Sequence, residues 1–436
     1  MAQTNVQFIQ IIEIKDWGEI FMPKDNSNFF ETKNDWSVIK DKLLGCYLMP
    51  YFQKILKTKR TTHYIDCFAG KGRFKDGCDG SPLMALKIIN ECLKQTTEEK
   101  KTGKIQTCFI DLNYATELTE NIKSVSPLYD KPIVLAGRFE DEIKKYLQNK
   151  QNCNIFLYID PYGIKALYCN LFDSFKDYGF NTFEMLINFN SFGFFRDACR
   201  VMKVDIENDE AFQNLEDLVE YEPTFVTSSK KSEELLIKIA GGDYWKKIVS
   251  DYNAGKFDGY KAEQILSYEY KKRLRRSFTY VLDMPIRLKP NHRPKYRMIH
   301  VSNHEDGCIL MAQNMLKRKD ELFLNIQQGK QPSLFDSDSD LSTSVEGVLM
   351  DKDTIKEMIR HHLLKTTYDM HFTKFVATFF NEYGLCCDFK MIKDILTELK
   401  ANEIITIIRN PAYTATGKKS EFWEEKGNRT VVIRRL

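Results

Sequence analysis

The sequence predicts an α/β fold built on a doubly wound, mostly parallel, Rossmann-like sheet, followed by a small C-terminal domain. Two observations lead to this prediction. Short apolar runs alternate with segments of helical period between residues 35 and 195, and several of these runs end in an acidic residue. Near-continuous apolar runs are typical of strands buried on both faces, and strands separated by helices favour a parallel sheet.

The first elements can be read in order along the chain. Apolar residues recur at the helical period over residues 35–60, which predicts an amphipathic helix. A buried strand then ends at Asp66, and Ser81 and Pro82 suit the N-cap and first position of the next helix. Further strands are predicted over residues 105–111, 132–137, 154–160 and 182–189, with helices over 114–124, 140–147 and 171–178.

The remainder of the chain divides by composition. We expect a helical insertion over about 197–267, and then two strands, 278–286 and 296–303, that add an antiparallel edge to the sheet. This predicts an N-terminal extension (1–34), a main domain (35–326) and an acidic linker (327–350). Residues 351–436 carry three helical segments and two strands around a basic loop, which predicts a winged-helix-like domain.

Composition limits the class of protein. The 436 residues suggest two or three domains, and the net charge is +3. The eleven cysteines show no CxxC spacing, which favours buried, reduced thiols over disulfides or a metal site. No apolar run is long enough to span a membrane, and the N-terminal residues lack the order of a secretory signal. We therefore expect a cytoplasmic protein.

The run YIDCFAGKGRF, residues 64–74, is the strongest local signal of a ligand site. Asp66 ends the strand, and Ala69, Gly70 and Gly72 leave a turn with almost no side chain. A nucleotide-like ligand can lie against the backbone amides of such a turn. The turn suits an adenosyl cofactor.

Asp111 ends the next strand, in the run IQTCFID. A fixed carboxylate can hold a vicinal diol such as that of ribose; the alternative is that Asp111 caps the following helix. The gap of 45 residues from Asp66 to Asp111 exceeds the roughly 20 of a dinucleotide fingerprint. This gap and the lack of a third glycine in GxGxxG spacing argue against a nicotinamide enzyme.

At these residues the chain resembles class I S-adenosylmethionine-dependent methyltransferases. The resemblance implies that the turn lies beneath the amino-acid portion of the cofactor, that Asp111 holds its ribose, and that Glu140 lies near its adenine. The turn residues concerned are Asp66, Phe68, Ala69, Gly70 and Gly72.

The run YIDPYG, residues 158–163, resembles the fourth motif of methyltransferases that modify amino groups of nucleobases. Asp160 would accept an N–H of the amine and orient it, Pro161 would fix the turn, and Tyr162 would stack on a flipped base. The single proline departs from the DPPY of adenine enzymes and is closer to the DPFG of tRNA guanine-N2 methyltransferases, which leaves the target base open. Glu184 and Asn188 either border this site or face a polar neighbour.

Most of the chain, roughly residues 36–315, is similar to the three-Cys-motif partner proteins (TcmP). The similar runs are YIDCFAGKGRF, GSP (80–82), FIDLN, YIDPYG, EMLINFNSFG, GDYW (242–245) and YRMIHVSNHEDG. The resemblance implies a methyltransferase-like fold and a partner that carries a three-cysteine iron–sulfur motif of the radical-SAM type.

A basic stretch provides a second candidate surface. Residues 271–297 contain ten basic side chains and one acidic one, Asp283. Lys271, Lys272, Arg273, Arg275 and Arg276 begin it and are the candidates for binding phosphate backbone, the alternative being a solvated face balanced by nearby acids.

The sequence as a whole supports two hypotheses. The first is an N-methyltransferase acting on DNA or RNA, and the second is a non-catalytic adaptor that uses the same fold to bind its partner. A nuclease is disfavoured, since no clustered carboxylates with metal spacing appear.

Overall fold

The computed structural model describes residues 35–74, 77–96, 103–125, 130–161, 163–164, 166–206, 209, 212, 229–287, 294–328, 349–365 and 369–436. The strands are β1 (Thr62–Asp66), β2 (Ile105–Asp111), β3 (Ile133–Ala136), β4 (Asn154–Ile159), β5 (Thr182–Phe189), β6 (Tyr280–Arg287), β7 (Pro294–Ser302), β8 (Met370–His371), β9 (Ile405–Asn410) and β10 (Thr430–Arg435).

The helices cover most of the remaining described residues. They are α1 (Asp35–Ile55), α2 (Ser81–Thr96), α3 (Ala115–Lys123), α4 (Phe139–Leu147), α5 (Cys169–Ser174), α6 (Ser191–Val201), α7 (Ser229–Ala240), α8 (Tyr244–Asn253), α9 (Gly259–Leu274), α10 (Glu305–Gln328), α11 (Lys352–Lys365), α12 (Phe372–Tyr383) and α13 (Phe389–Ala401).

A seven-stranded sheet with the order β3-β2-β1-β4-β5-β7-β6 forms the centre of the chain. Strands β1 to β5 pair in parallel, and β7 runs antiparallel to both β5 and β6. The predicted doubly wound, mostly parallel, Rossmann-like sheet is therefore confirmed. The predicted antiparallel edge is present.

Alternate residues of each strand pack into separate cores on the two faces of the sheet. Tyr64 and Phe156 belong to the cluster covered by α1, α2 and α10, whereas their neighbours Ile65 and Leu157 face the cluster covered by α4 to α9. This alternation follows from the period of two in a strand. Most side chains of the central strands are therefore buried in one core or the other.

The register aligns the carboxyl ends of the central strands. Asp66, the last residue of β1, pairs with Phe109 on β2 and with Tyr158 on β4. The residues that follow these strands therefore meet at one edge of the sheet, where open α/β sheets bind their ligands.

The C-terminal unit contains α11, α12 and α13 and a three-stranded antiparallel sheet of order β8-β10-β9. The short strand β8 was not predicted. The unit packs against the main sheet: Asn381 of α12 accepts hydrogen bonds from the Val281 N–H (2.9 Å) and Arg275 Nε (3.1 Å), and it donates to the Thr279 carbonyl (3.2 Å). Its buried side chains belong to the same cluster as those of α1 and α10.

Some predictions need correction or lie beyond the described residues. Helix α10 continues to Gln328 and so extends two residues into the predicted linker. The N-terminal extension and linker residues 329–348 lie outside the described residues. In the described part of the chain, no helix combines the length and apolar character needed to cross a membrane.

Candidate functional site

The glycine turn after β1 is held by hydrogen bonds from its own amides. The Ala69 N–H donates to the Ile110 carbonyl (3.0 Å), and the Gly70 N–H donates to Asp111 Oδ2 (2.8 Å). Gly70 and Gly72 have φ angles of +58° and +75°, which L side chains rarely adopt. A Cβ on Gly70 would meet no atom within 4 Å, so the turn is open on its outer side.

Asp66 is fully buried at the end of β1. Its Oδ2 accepts a hydrogen bond from the Ser81 hydroxyl (2.6 Å), and its Oδ1 accepts one from the Phe68 N–H (3.3 Å). Burial raises the pKa of Asp66 to about 7, and the negative charges of Asp160 and Asp111 act in the same direction. A cation brought to this carboxyl would favour its ionised form.

Asp111 accepts hydrogen bonds from three backbone N–H groups near the end of β2. Its Oδ1 accepts hydrogen bonds from the N–H groups of Asn113 (2.8 Å) and Tyr114 (2.7 Å), in addition to the bond from Gly70 to Oδ2. The N-cap position of α3 is Tyr114 and no side chain caps this helix, so the bonds to Asp111 hold the loop that precedes it and the capping alternative is not observed. A carboxylate has about four acceptor positions, and the three bonds from the protein leave one for a ligand.

Phe68 and Glu140 lie near the ends of β1 and β3. The Phe68 ring packs on Phe139 with 5.3 Å between ring centroids. Glu140 is in the first turn of α4, and its carboxylate is 3.4 Å from the guanidinium of the exposed Arg138. An exposed pair of this kind contributes little energy. Glu140 is thus free to exchange this partner for another.

Asp160 follows β4 and makes four hydrogen bonds through its carboxylate. Lys40 Nζ lies 3.0 Å from Oδ1 and 2.8 Å from Oδ2. Asn188 Nδ2 donates to Oδ1 (2.7 Å), and the Tyr158 hydroxyl donates to Oδ2 (3.1 Å). The structure therefore joins the ends of β4 and β5 to helix α1 through this one carboxylate.

Pro161 and Tyr162 complete the predicted catalytic motif, and the structure describes only the first of them. Pro161 is buried directly after Asp160. Tyr162 lies outside the described residues, so its stacking role stays a prediction.

Lys40 was not predicted as a site residue. It lies on α1, four residues before Leu44 and seven before Tyr47, both of which are fully buried. The helical period places Lys40 on the same face as these two residues. A lone lysine such as Lys40 on the apolar face of a helix predicts that the folded protein supplies a buried acidic partner for it.

Glu184 and Asn188 have different surroundings, although both lie on the same face of β5. Asn188 contacts Asp160, whereas Glu184 lies roughly 13 Å further back along the strand at about 3.3 Å per residue. Glu184 accepts hydrogen bonds from the Tyr47 hydroxyl and from His300 Nε2, the latter at 2.9 Å. Burial raises the pKa of Tyr47 well above its usual value. Only Asn188 of the two belongs to the site.

Four of the five basic residues considered for phosphate binding contact the protein itself. These are Lys271, Lys272, Arg273 and Arg275, and their partners are, in the same order, Asp283, Glu269, Asp173 and Asn381. Lys271 and Arg273 are mostly buried in these pairs. Lys272 and Arg276 are exposed. The positions of these five residues favour the alternative in which nearby acidic side chains balance the basic ones, rather than a phosphate-binding surface.

Comparison with known proteins gives several weak structural likenesses. No protein-family model matches the chain, and no curated protein matches it. The crystal structure of the plantazolicin methyltransferase BamL, in complex with a triazolic desmethylPZN analog and SAH, has 14% sequence identity and a TM-score of 0.28, and covers 67% of this chain and 95% of that one. Loganic acid methyltransferase with SAH has 9% identity and a TM-score of 0.24, and covers 61% of this chain and 94% of that one. Because both TM-scores are low, the fold assignment rests on the strand order and pairing of the sheet.

Proposed function

We propose that the chain is an S-adenosylmethionine-dependent methyltransferase. The observation on which this rests is the meeting of Asp66, Asp111 and Asp160 at the ends of three adjacent parallel strands, beside a turn with two left-handed glycines. When bound, S-adenosylmethionine supplies a methyl group on a positively charged sulfur, which a nitrogen lone pair can attack.

The described residues fit this cofactor. The turn of Ala69, Gly70 and Gly72 is open on its outer side, and Phe68 borders it. Asp66 would respond to the cofactor's ammonium group, because a nearby cation lowers a pKa that burial has raised. Asp111 keeps one acceptor position for a ribose hydroxyl. Glu140, whose side chain is 18% exposed, would face the adenine.

The proposed substrate is an amino group on a nucleobase of DNA or RNA. Such an amine is a poor nucleophile because its lone pair is delocalised into the ring, so a positioned acceptor for its N–H promotes attack. The loop that begins with Asp160 and Pro161 would supply this environment, with Tyr162 stacking on the base.

The C-terminal unit, proposed as a winged-helix-like domain, has cations suited to a phosphate backbone. Lys418 and Lys419 are exposed in the hairpin between β9 and β10, and neither ammonium group forms an ion pair with the residues that the structure describes. Arg429 is also exposed and packs on the Phe422 ring. Cations of this kind support binding to phosphates. The partner with a three-cysteine motif is proposed on the sequence resemblance alone.

The alternative is a non-catalytic adaptor with the same fold. The ion pair between Lys40 and Asp160 favours this alternative, because it occupies the carboxylate that would otherwise receive the amine. An adaptor would need no cofactor.

Calorimetric titration with S-adenosylmethionine tests the proposal. We expect micromolar binding by the wild type, at least about tenfold weaker binding by Asp66→Asn and Asp111→Asn, and no change in Asp251→Asn, whose carboxylate lies on α8. Near pH 7, binding by the wild type should release protons, seen as a dependence of the enthalpy on the buffer, and Asp66→Asn should release fewer. A folded wild type that does not bind would favour the adaptor.

A further inference from the structure

The carboxylate of Asp160 has no acceptor position left for a substrate. An ionised carboxylate offers about four acceptor positions, two on each oxygen. Oδ1 receives Lys40 and Asn188, and Oδ2 receives Lys40 and Tyr158. An incoming N–H could bind Asp160 only by breaking one of these bonds.

The neighbouring Asn188, in contrast, has an acceptor that no group in the described part of the chain fills. Its Nδ2 donates to Asp160, but its Oδ1 is buried and finds no hydrogen-bond partner among the described residues. The residue is 3% exposed. A buried acceptor without a partner is costly, and a group retained in this state next to a proposed active site points to a ligand that supplies the donor.

We propose that Asn188 Oδ1 accepts the N–H of the substrate's amino group, with Asp160 and Lys40 as positioning residues. This inference rests on the proposed function. The bond from Nδ2 to Asp160 fixes which side of the amide carries the oxygen, and Lys40 in turn holds Asp160. Asn188 is therefore a catalytic residue in the sense that it contacts the substrate, whereas Asp160 acts through it.

The charges of this network select the class of amine. Lys40 and Asp160 cancel each other, so the position beside Asn188 presents a neutral amide oxygen and no free carboxylate. An aliphatic ammonium group would find no free carboxylate there to act as its counter-ion. A neutral amino group conjugated to a ring, such as that of adenosine, cytidine or guanosine, needs no counter-ion.

The test uses the full-length protein saturated with S-adenosylhomocysteine. Each of the three nucleosides is titrated beside its N,N-dimethylated analogue, which keeps the ring and lacks the N–H. We expect the wild type to prefer at least one amino nucleoside over its dimethylated form by about tenfold, the worth of one neutral hydrogen bond. Asn188→Leu, which has a similar volume, should reduce this ratio to near one and leave the affinity for S-adenosylhomocysteine unchanged. Butylamine should not compete.

Several outcomes would overturn the inference. These are a wild type that binds none of the nucleosides, a wild type without preference for the N–H, an Asn188→Leu variant that keeps the preference, and competition by butylamine that Asp160→Asn abolishes. The comparison of nucleoside with analogue on the wild type stands even where a variant fails to fold. Failure of the proposed function is distinct, because then the wild type would not bind S-adenosylhomocysteine at all.

Discussion

The buried carboxyl of Asp66 should make the stability of this protein fall as the pH rises through the range of its titration. Burial raises the pKa of Asp66 from 3.8 to about 7. Between these values the unfolded chain has lost the proton and the folded chain keeps it, so folding takes up a proton and stability decreases with increasing pH. A difference of about three pH units corresponds to about 4 kcal/mol, at about 1.4 kcal/mol for each.

The variant Asp66→Asn isolates this contribution. The amide resembles the protonated carboxyl in shape and can keep partners in Ser81 and the Phe68 N–H. We expect the variant to match the wild type near pH 4 and to exceed its free energy of unfolding by up to about 4 kcal/mol at pH 8.

Urea unfolding of both proteins without cofactor, at intervals between pH 4 and 8, measures this difference. Asp251→Asn is the matched control: hydrogen bonds from Lys256 and Lys247 lower the pKa of Asp251 from its ordinary 3.8, so the difference between this variant and the wild type should stay constant from pH 4 to 8. A difference between wild type and Asp66→Asn that stays constant with pH, or that grows in favour of the wild type, would refute the reasoning.

Three further predictions concern stability, each measured by urea unfolding at pH 7 unless stated. Gly72→Ala should lower the free energy of unfolding more than Gly70→Ala does. Both positions have positive φ, but only a Cβ at Gly72 would approach the Leu118 side chain of α3, at 2.8 Å. Equal losses of stability would contradict this steric argument. Asn381→Ala should cost about 1–3 kcal/mol, because it leaves a backbone N–H of β6 without its partner; a loss below about 0.5 kcal/mol would show that this residue does not hold the C-terminal unit to the sheet. Burial alone would raise the pKa of Asp283, but the cations Lys271 and Arg297 lower it to about 2. Asp283→Asn should therefore cost about 3–5 kcal/mol at pH 7, and the difference from wild type should shrink as the pH falls from about 4 towards 2; an unchanged difference at low pH would argue against the ionised pair.

The sequence by itself determined the local elements of this protein. Strands β2 (Ile105–Asp111) and β5 (Thr182–Phe189) have the predicted bounds, and α4 (Phe139–Leu147) begins one residue before the helix predicted over 140–147. The reason is that a buried strand needs a continuous apolar run and a surface helix needs an apolar stripe, and both patterns are visible in a short window. The glycine turn was visible for a similar reason, since Gly70 and Gly72 adopt backbone angles that few other residues accept.

Only the tertiary structure decided which side chains meet. Lys40 and Asp160 are 120 residues apart, and Arg275 and Asn381 are 106 apart. A charge in the sequence shows that a partner is needed if the residue is buried, but it does not show which element supplies that partner. For this reason the basic stretch suggested a nucleic-acid surface, whereas most of its first cations are paired within the protein.

The chemistry of the candidate site likewise depends partly on the sequence pattern and partly on tertiary contacts. The sequence placed Asp66, Asp111 and Asp160 at strand ends, and parallel strands with aligned ends bring them together. The raised pKa of Asp66, the hydrogen bond from Gly70 to Asp111 and the filled acceptor positions of Asp160 come from burial and from neighbours on other elements. Pattern thus determines where carboxylates lie, while packing determines whether each is protonated, occupied or free to bind.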